Sequence, residues 1–373
     1  MHRNIPDEEV VSPMDFGVRF PNEEAARKYI EERRSKGKPP VCPVCGSSAH
    51  EWRRPRPKHL RRPDLPDYYP GYYKCGSRKC RKGFTVKDNS IFSYSHIPLH
   101  RWLHAIFCLL TELKGKSSRQ LARRWARVCQ KSGWHLGHRI REVMSRHKEN
   151  LSLGGDTEAD EAFFYEKRKN RHLSKRGKRS KSIGVMGIVE RNGGKVVFQV
   201  LPDAANIKKG KLRIEPDTSK EMLAGILCKY VEEGSTVFTD GNPSYGDLDS
   251  LGYNHYSVTH SDKIYVIGGY IHTNGIESVW RLPKDATRAV YYRTSPEHLQ
   301  RYLDEIAYRW NEKTAKVSIM DALGSFVDLC WSVSLPWKKL VAEPLDLLTT
   351  RVAACRKACS SALELPRSRP RCL

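Results

Sequence analysis

The sequence predicts an α/β protein whose second half is a mixed five-stranded sheet with helices, preceded by a small cysteine-ligated ribbon and a helical segment. Three observations carry this expectation. Two close cysteine pairs stand about thirty residues apart near the N-terminus. Apolar residues repeat at intervals of three and four between 95 and 148. After Gly154-Gly155 short apolar stretches with strand character alternate with helical patterns.

At 373 residues the chain is long enough for two or three domains with a sizeable core. Its 66 Lys+Arg against 42 Asp+Glu leave a net charge of +24, which for a chain of this kind points to a polyanionic partner, nucleic acid first. No apolar run is long enough to span a bilayer, and Met1-His2-Arg3-Asn4-Ile5-Pro6-Asp7 has no signal-peptide core. No membrane role is therefore expected, and the expected location is cytoplasmic, or nucleoid-associated in a bacterium.

Residues 1–38 read as a polar leader with one short helix over 22–34, capped by Asn22. Residues 39–94 hold Cys42-Pro43-Val44-Cys45-Gly46 and, beyond a basic, proline-rich excursion, Cys75 and Cys80. A tetrahedral four-cysteine site needs two tight knuckles brought together by the strands between them, so Cys42, Cys45, Cys75 and Cys80 are expected to hold one structural Zn2+. The second knuckle is wider than usual, which makes Cys80 the weakest member. Seven further cysteines remain of the eleven. Cys108, Cys129, Cys228 and Cys330 read as buried small hydrophobes; Cys355, Cys359 and Cys372 fall in a basic tail.

Residues 95–150 read as three helices. The first carries Trp102, Leu103, Ile106, Phe107, Leu110 and Leu113 and stops at Gly115. The second starts at a capping box, Ser117 to Gln120, and the third covers 132–148 with Ile140, Val143 and Met144 inward and Arg139, Arg141, Arg146 and Lys148 outward. This suits a helix-turn-helix whose last helix meets DNA through Arg139 and Arg141. A small helical bundle with a solvated charged face fits the same pattern.

Residues 151–330 read as strands at 157–165, 182–190 and 195–201, a helix at 218–232, a strand at 235–239 ending in Asp240-Gly241, and a fifth strand at 254–259. Helices follow at 274–289 and 296–310. That is the order of an RNase H-like fold, in which the first and fourth strands are neighbours. Carboxylates on those two strands would lie together, and the helix after the fifth strand would add a third. Asp240, closing an apolar strand, is the most secure. Asp160 shares a strand face with Glu158 and Ala162, while Ala159 and Glu161 share the other; Asp156, Glu158 and Glu161 compete with it. Glu277 also reads as an ordinary first-turn glutamate at a helix start.

Nine of the fifteen residues 167–181 are Lys or Arg, among them Lys167, Arg168, Lys169, Lys175, Arg176, Lys178 and Arg179. Such a run is commonly a solvated loop, but here it would emerge beside the carboxylates, where a phosphate backbone must lie. Residues 331–373 form a basic tail with one helix expected near 345–359.

Taken together, the Cys-x-x-Cys ribbon, Ile97-Pro98-Leu99-His100-Arg101-Trp102, Ser118-Arg119-Gln120-Leu121-Ala122, Ala159-Asp160-Glu161, Thr239-Asp240-Gly241 and His272-Thr273-Asn274-Gly275-Ile276-Glu277-Ser278-Val279-Trp280 resemble the DDE transposases of bacterial insertion sequences with an N-terminal zinc ribbon, of the ISXO type and related to Merlin elements. The thirty-six residues between Asp240 and Glu277 are close to the interval of retroviral-integrase-like enzymes. The resemblance implies that Asp160, Asp240 and Glu277 hold two Mg2+ (or Mn2+) ions, and that Lys284, seven residues after Glu277, contacts a phosphate. It further implies binding of double-stranded DNA at terminal inverted repeats, metal-dependent nicking and transfer of 3′-hydroxyl ends to target DNA, and a homodimer or larger assembly on paired ends. The chain departs from the family at Phe163-Phe164-Tyr165, where a glycine-rich turn is usual, and at Pro283, which is expected to kink the Glu277 helix. An inactive, domesticated or decayed transposase that binds DNA through its ribbon is the alternative.

Overall fold

The structure, a computed structural model, describes residues 11–61, 63, 66–112, 114–165, 182–208, 211–258, 272–291, 294–315 and 317–342. The basic run 167–181, the helix expected at 345–359, and Cys355, Cys359 and Cys372 lie outside the described residues. The chain divides into two compact units, residues 1–144 with 316–340, and residues 145–315 with 341–373.

The first unit opens with α1 (Pro13–Arg19) and α2 (Glu23–Ser35). α1 was not expected; a Ser12–Asp15 capping box starts it and its Phe16 is buried against Phe107. Asn22 caps α2 as the sequence implied, accepting the Ala25 amide at 3.0 Å. The ribbon follows with β1 (Ala49–Glu51), β2 (Arg54–Pro55), β3 (Tyr68–Tyr69), β4 (Tyr72–Cys75) and β5 (Gly83–Thr85). β4 is the centre of an antiparallel β1-β4-β5 sheet, and β2 pairs with β3.

α3 (Leu99–Thr111) buries Trp102, Leu103, Ile106 and Phe107, four of the six residues read from its periodicity; Leu110 is half-buried and Leu113 lies outside the described residues. α4 (Ser118–Gln120) starts on the anticipated Ser117–Gln120 capping box, passes into a π turn over Leu121–Ala126, and ends where Arg127 turns left-handed. α5 (Gln130–His147) corrects the expected outward face at two positions, while Arg146 is exposed as expected. Arg139 and Arg141 are 7% and 1% exposed. Arg139 lies over the Trp102 ring and donates to the Ser93 carbonyl at 2.6 Å; burial lowers its pKa to about 10. Long side chains can carry a cation inward where a ring face and a carbonyl receive it, and helical spacing alone does not reveal that partner. Cys108 and Cys330 are buried as expected; Cys129 and Cys228 are exposed.

The second unit contains β6 (Asp156–Tyr165), β7 (Ser182–Glu190), β8 (Val196–Val200), the hairpin β9 (Asp203–Lys208) and β10 (Lys211–Pro216), α6 (Lys220–Tyr230), β11 (Thr236–Asp240), β12 (Asn254–Val258), α7 (Asn274–Asp285) and α8 (Pro296–Thr314). The hairpin was not foreseen. The main sheet has the order β12-β11-β6-β7-β8, with β12, β11 and β6 parallel and β7 and β8 antiparallel to their neighbours. The first and fourth strands, β6 and β11, are thus adjacent, as the element order required. Strand alternation sends β6 side chains into two cores: Ala159 joins the cluster around α6, and Ala162 the cluster of Val279, Trp280 and Leu303 from α7 and α8. α7 carries Pro283 in its interior, where no N–H reaches the Val279 carbonyl, yet remains α-helical through Asp285 before widening to a π turn over Ala286–Val290. After α8 the chain returns to the first unit with α9 (Ile319–Asp328) and α10 (Trp337–Ala342). An Arg33–Asp328 ion pair ties α9 to α2.

Candidate active site and metal centres

In the first unit, Cys42, Cys45, Cys75 and Cys80 present their sulfurs within 4.8 Å of one another. The Cys45–Cys75 and Cys42–Cys80 separations are 3.4 and 3.8 Å. Sulfurs bound tetrahedrally at about 2.3 Å from zinc stand about 3.8 Å apart, so the four thiols fit such an ion, Cys80 and its wide knuckle included.

In the second unit, the last β6–β11 pairs are Val237 with Thr157 and Phe238 with Glu158. Two residues further along each strand come Asp240 and Asp160. Parallel pairing sends equivalent residues the same way, which is why two aspartates eighty residues apart converge. Asp160, Glu161 and Asp240 each offer an oxygen, all within 4.8 Å of one another. Oxygens on opposite sides of a magnesium ion lie about 4.2 Å apart, so this set suits a hard divalent cation.

The electrostatics agree. Burial raises the pKa of Asp160, and the charges of Asp240 and Glu277 push it further, against the lowering effect of the Trp280 hydrogen bond. Burial likewise raises Glu161 to about 7, opposed by the Tyr245 hydroxyl and reinforced by repulsion from Asp240 and Asp160. A divalent cation would relieve that repulsion. Asp240 is shaped by its loop, accepting the Asn242 amide at 3.2 Å.

Glu277 lies outside the three-residue cluster. It is exposed on the first turn of α7, close enough for its charge to bear on Asp160. Lys284 is exposed two turns later on the same helix. The side of α7 that packs on the sheet carries Ile276, Val279, Trp280 and Pro283. Trp280 Nε1 donates to Asp160 Oδ2 at 2.9 Å, and its ring lies 5.2 Å from that of Phe198. Gly187 allows this approach, because a Cβ there would sit 2.7 Å from the indole. The tryptophan of the motif therefore holds one oxygen of Asp160.

Sequence reasoning weighed Glu158 only as a rival to Asp160 and missed that it seats α7. Glu158 is fully buried. It accepts the Ile276 amide at 2.8 Å and the Arg191 Nε at 2.9 Å, and lies 3.4 Å from His272 Nδ1. Arg191 also donates to the His272 carbonyl at 2.5 Å and lies 3.4 Å over the Phe238 ring. Glycine is needed at 275, where a Cβ would stand 2.8 Å from a Glu158 oxygen. Glu158 and Phe238 are each two residues before a site aspartate, and Ile276 is one before Glu277, so one ion pair joins the three elements that carry the carboxylates. No spacing rule marks Arg191, in the β7–β8 turn, as part of it. Glu161 was weighed against Asp160 on strand alternation; the structure brings both to the cluster, with Glu161 turned toward Tyr245.

The ISXO2-like transposase domain model matches residues 152–311, the stretch from the start of β6 through most of α8. An uncharacterized transposase-like protein of Haemophilus influenzae is 30% identical over 118 residues, which are 31% of this chain and 94% of that relative. Among the described residues no helix is long and apolar enough to cross a membrane. With the family model spanning every carboxylate of the site, and nearly the whole of that relative covered, the chain belongs to the ISXO2-like transposases.

Proposed function

We propose that this transposase binds the terminal inverted repeats of an insertion sequence, nicks the element's ends and transfers the freed 3′-hydroxyls into target DNA. The observation that carries the reading is the convergence of Asp160 and Asp240 from adjoining parallel strands, with oxygens inside 4.8 Å. Their sheet is read as RNase H-like, with the strand order that places the first and fourth strands together. Asp160 and Asp240 would hold the metal ions with Glu277 as the third carboxylate. When bound, two Mg2+ or Mn2+ ions supply Lewis-acid activation for in-line attack at a phosphodiester, first by water and then by a DNA 3′-hydroxyl. Trp280 donates to one Asp160 oxygen and so fixes the orientation of that carboxylate. Lys284, on the solvent side of α7, would meet a phosphate near the cut.

In the first unit the four cysteines would hold one structural Zn2+. DNA contact is proposed for the basic residues Lys167, Arg168, Lys169, Lys175, Arg176, Lys178 and Arg179, which lie outside the described residues. If α3 to α5 act as a helix-turn-helix, they do so through side chains other than the buried Arg139 and Arg141. The family resemblance extends the proposal to a dimer or larger assembly on paired ends.

The test is a strand-transfer assay on a duplex carrying the element's own terminal repeat, with and without Mg2+, comparing the wild type with Asp240→Ala and Glu277→Gln. Joined products that need metal and vanish in both variants are expected, with end binding retained. Nicks without joined products would reduce the chain to a nuclease; binding without cleavage in the wild type would overturn the catalytic reading.

A further inference from the structure

The antiparallel ribbon runs well past the cysteine knuckles. Glu51 pairs with Tyr73, Arg54 with Tyr69 and Pro55 with Tyr68; between them the Trp52 amide donates to the Tyr72 carbonyl at 2.7 Å. The Arg56 amide continues the ladder to the Asp67 carbonyl at 2.7 Å. The result is a two-stranded arm on the first unit. Residues 51–74 contain seven Lys or Arg against three Asp or Glu.

The basic side chains of the arm are interleaved with its rings. The Arg53 guanidinium lies 5.4 Å from the Tyr68 ring, that of Arg54 5.1 Å from Tyr72, and that of Arg56 4.6 Å from Tyr69. Arg54 Nη1 also donates to the Tyr72 hydroxyl at 3.1 Å, and Arg56 Nε to the Tyr68 carbonyl at 3.1 Å. Among the described residues no carboxylate pairs with any of these three guanidiniums. A solvated charged face would leave such arginines free to move. Here a tyrosine ring within cation–π range stands beside each guanidinium while further N–H groups remain for an anion, an arrangement suited to phosphate oxygens. Arg53 and Arg54 are exposed and Arg56 is half-buried. The major groove of B-DNA admits a two-stranded ribbon of this kind.

We propose that the arm is a docking element for duplex DNA, with Arg53, Arg54 and Arg56 on backbone phosphates and the ribbon along a groove. The inference rests on the reading of the chain as acting on DNA and adds the element that grips it. The neighbouring rings reduce the side-chain ordering lost on binding, so tyrosines contribute to affinity without carrying charge.

The experiment measures binding of the full chain to a fluorescent duplex of about 30 base pairs and arbitrary sequence, by anisotropy, across roughly 50 to 300 mM KCl. The combined Arg53→Gln, Arg54→Gln, Arg56→Gln variant should show a slope of log affinity against log salt shallower by about 2 to 3. Tyr68→Leu with Tyr69→Leu should weaken binding by roughly tenfold at an unchanged slope. Circular dichroism and the thermal transition check folding; if the triple variant unfolds, Arg53→Gln alone should flatten the slope by about 1. Wild-type affinity and slope in the folded arginine variants would overturn the arm while leaving the DNA reading intact. A loss seen only with single-stranded RNA would overturn it too, and failure of the wild type to bind any duplex would overturn both.

Discussion

Replacing Glu158 with glutamine tests the ion pair that joins the three carboxylate-bearing elements. The substitution keeps the shape of the side chain and an oxygen for the Ile276 amide, but removes the buried negative charge 2.9 Å from Arg191 Nε. The two side chains are 1% and 9% exposed, so neither is rescued by water. Breaking a buried pair from one side costs about 3–5 kcal/mol, because the remaining charge stays desolvated. For a unit of this size, about 1 kcal/mol moves the midpoint by roughly 2–4 °C, so a fall on the order of 10 °C is expected in thermal unfolding followed by circular dichroism. Adding Arg191→Met removes the other member of the pair and should recover part of the loss, giving a coupling energy of about 2 kcal/mol or more in the double-mutant cycle. Hydrogen exchange at the Ile276 amide supplies a local readout, since its bond to Glu158 is the first anchor of α7. A Glu158→Gln protein that melts with the wild type, or a double variant no better than the single, would refute the argument that this pair seats the Glu277 helix.

Gly275→Ala, which drives a Cβ to 2.8 Å from Glu158 Oε2, should destabilise the same helix start by about 1–3 kcal/mol, read as a lowered melting midpoint. Trp280→Phe retains most of the packing but not the donor to Asp160; strand transfer should fall roughly tenfold with end binding unchanged, and unimpaired transfer would remove the indole from the site. Cys75→Ser should abolish stoichiometric zinc, measured by atomic absorption, and unfold the ribbon, whereas full zinc content would exclude this sulfur as a ligand. Burial lowers the pKa of His104 and His135, so the folded first unit binds fewer protons than the unfolded chain just below the ordinary value of 6.5. Stability contributed by their neutral forms is therefore present above that value and lost as pH falls through it toward their depressed folded values. His135→Asn should show a smaller drop in melting midpoint between neutral and mildly acid pH; an undiminished drop would count against the assignment.

The five strands of the main sheet and the helices of the second unit were legible from their periodicity, though the β9–β10 hairpin was not. Asp240 and Glu277 stand in local patterns that end a strand or start a helix, while Asp160 stands inside β6. The cysteine spacing similarly announced four converging thiols. Local pattern cannot report what meets a side chain from elsewhere in the chain. Arg139 and Arg141 have the spacing of an outward face yet lie inside, and for Arg139 the receiving groups are the Trp102 ring and the Ser93 carbonyl. Glu158 and Arg191 carry no motif, and the bond from Trp280 to Asp160 joins residues 120 apart. The sequence by itself determined the main-sheet strands, the helices packed with them and the carboxylates they bear, but not α1 or the β9–β10 hairpin. Only the tertiary structure decided how those carboxylates are held, because a buried ion pair and an indole donor depend on burial and distance between segments remote along the chain, and neither leaves a mark on the residues nearby.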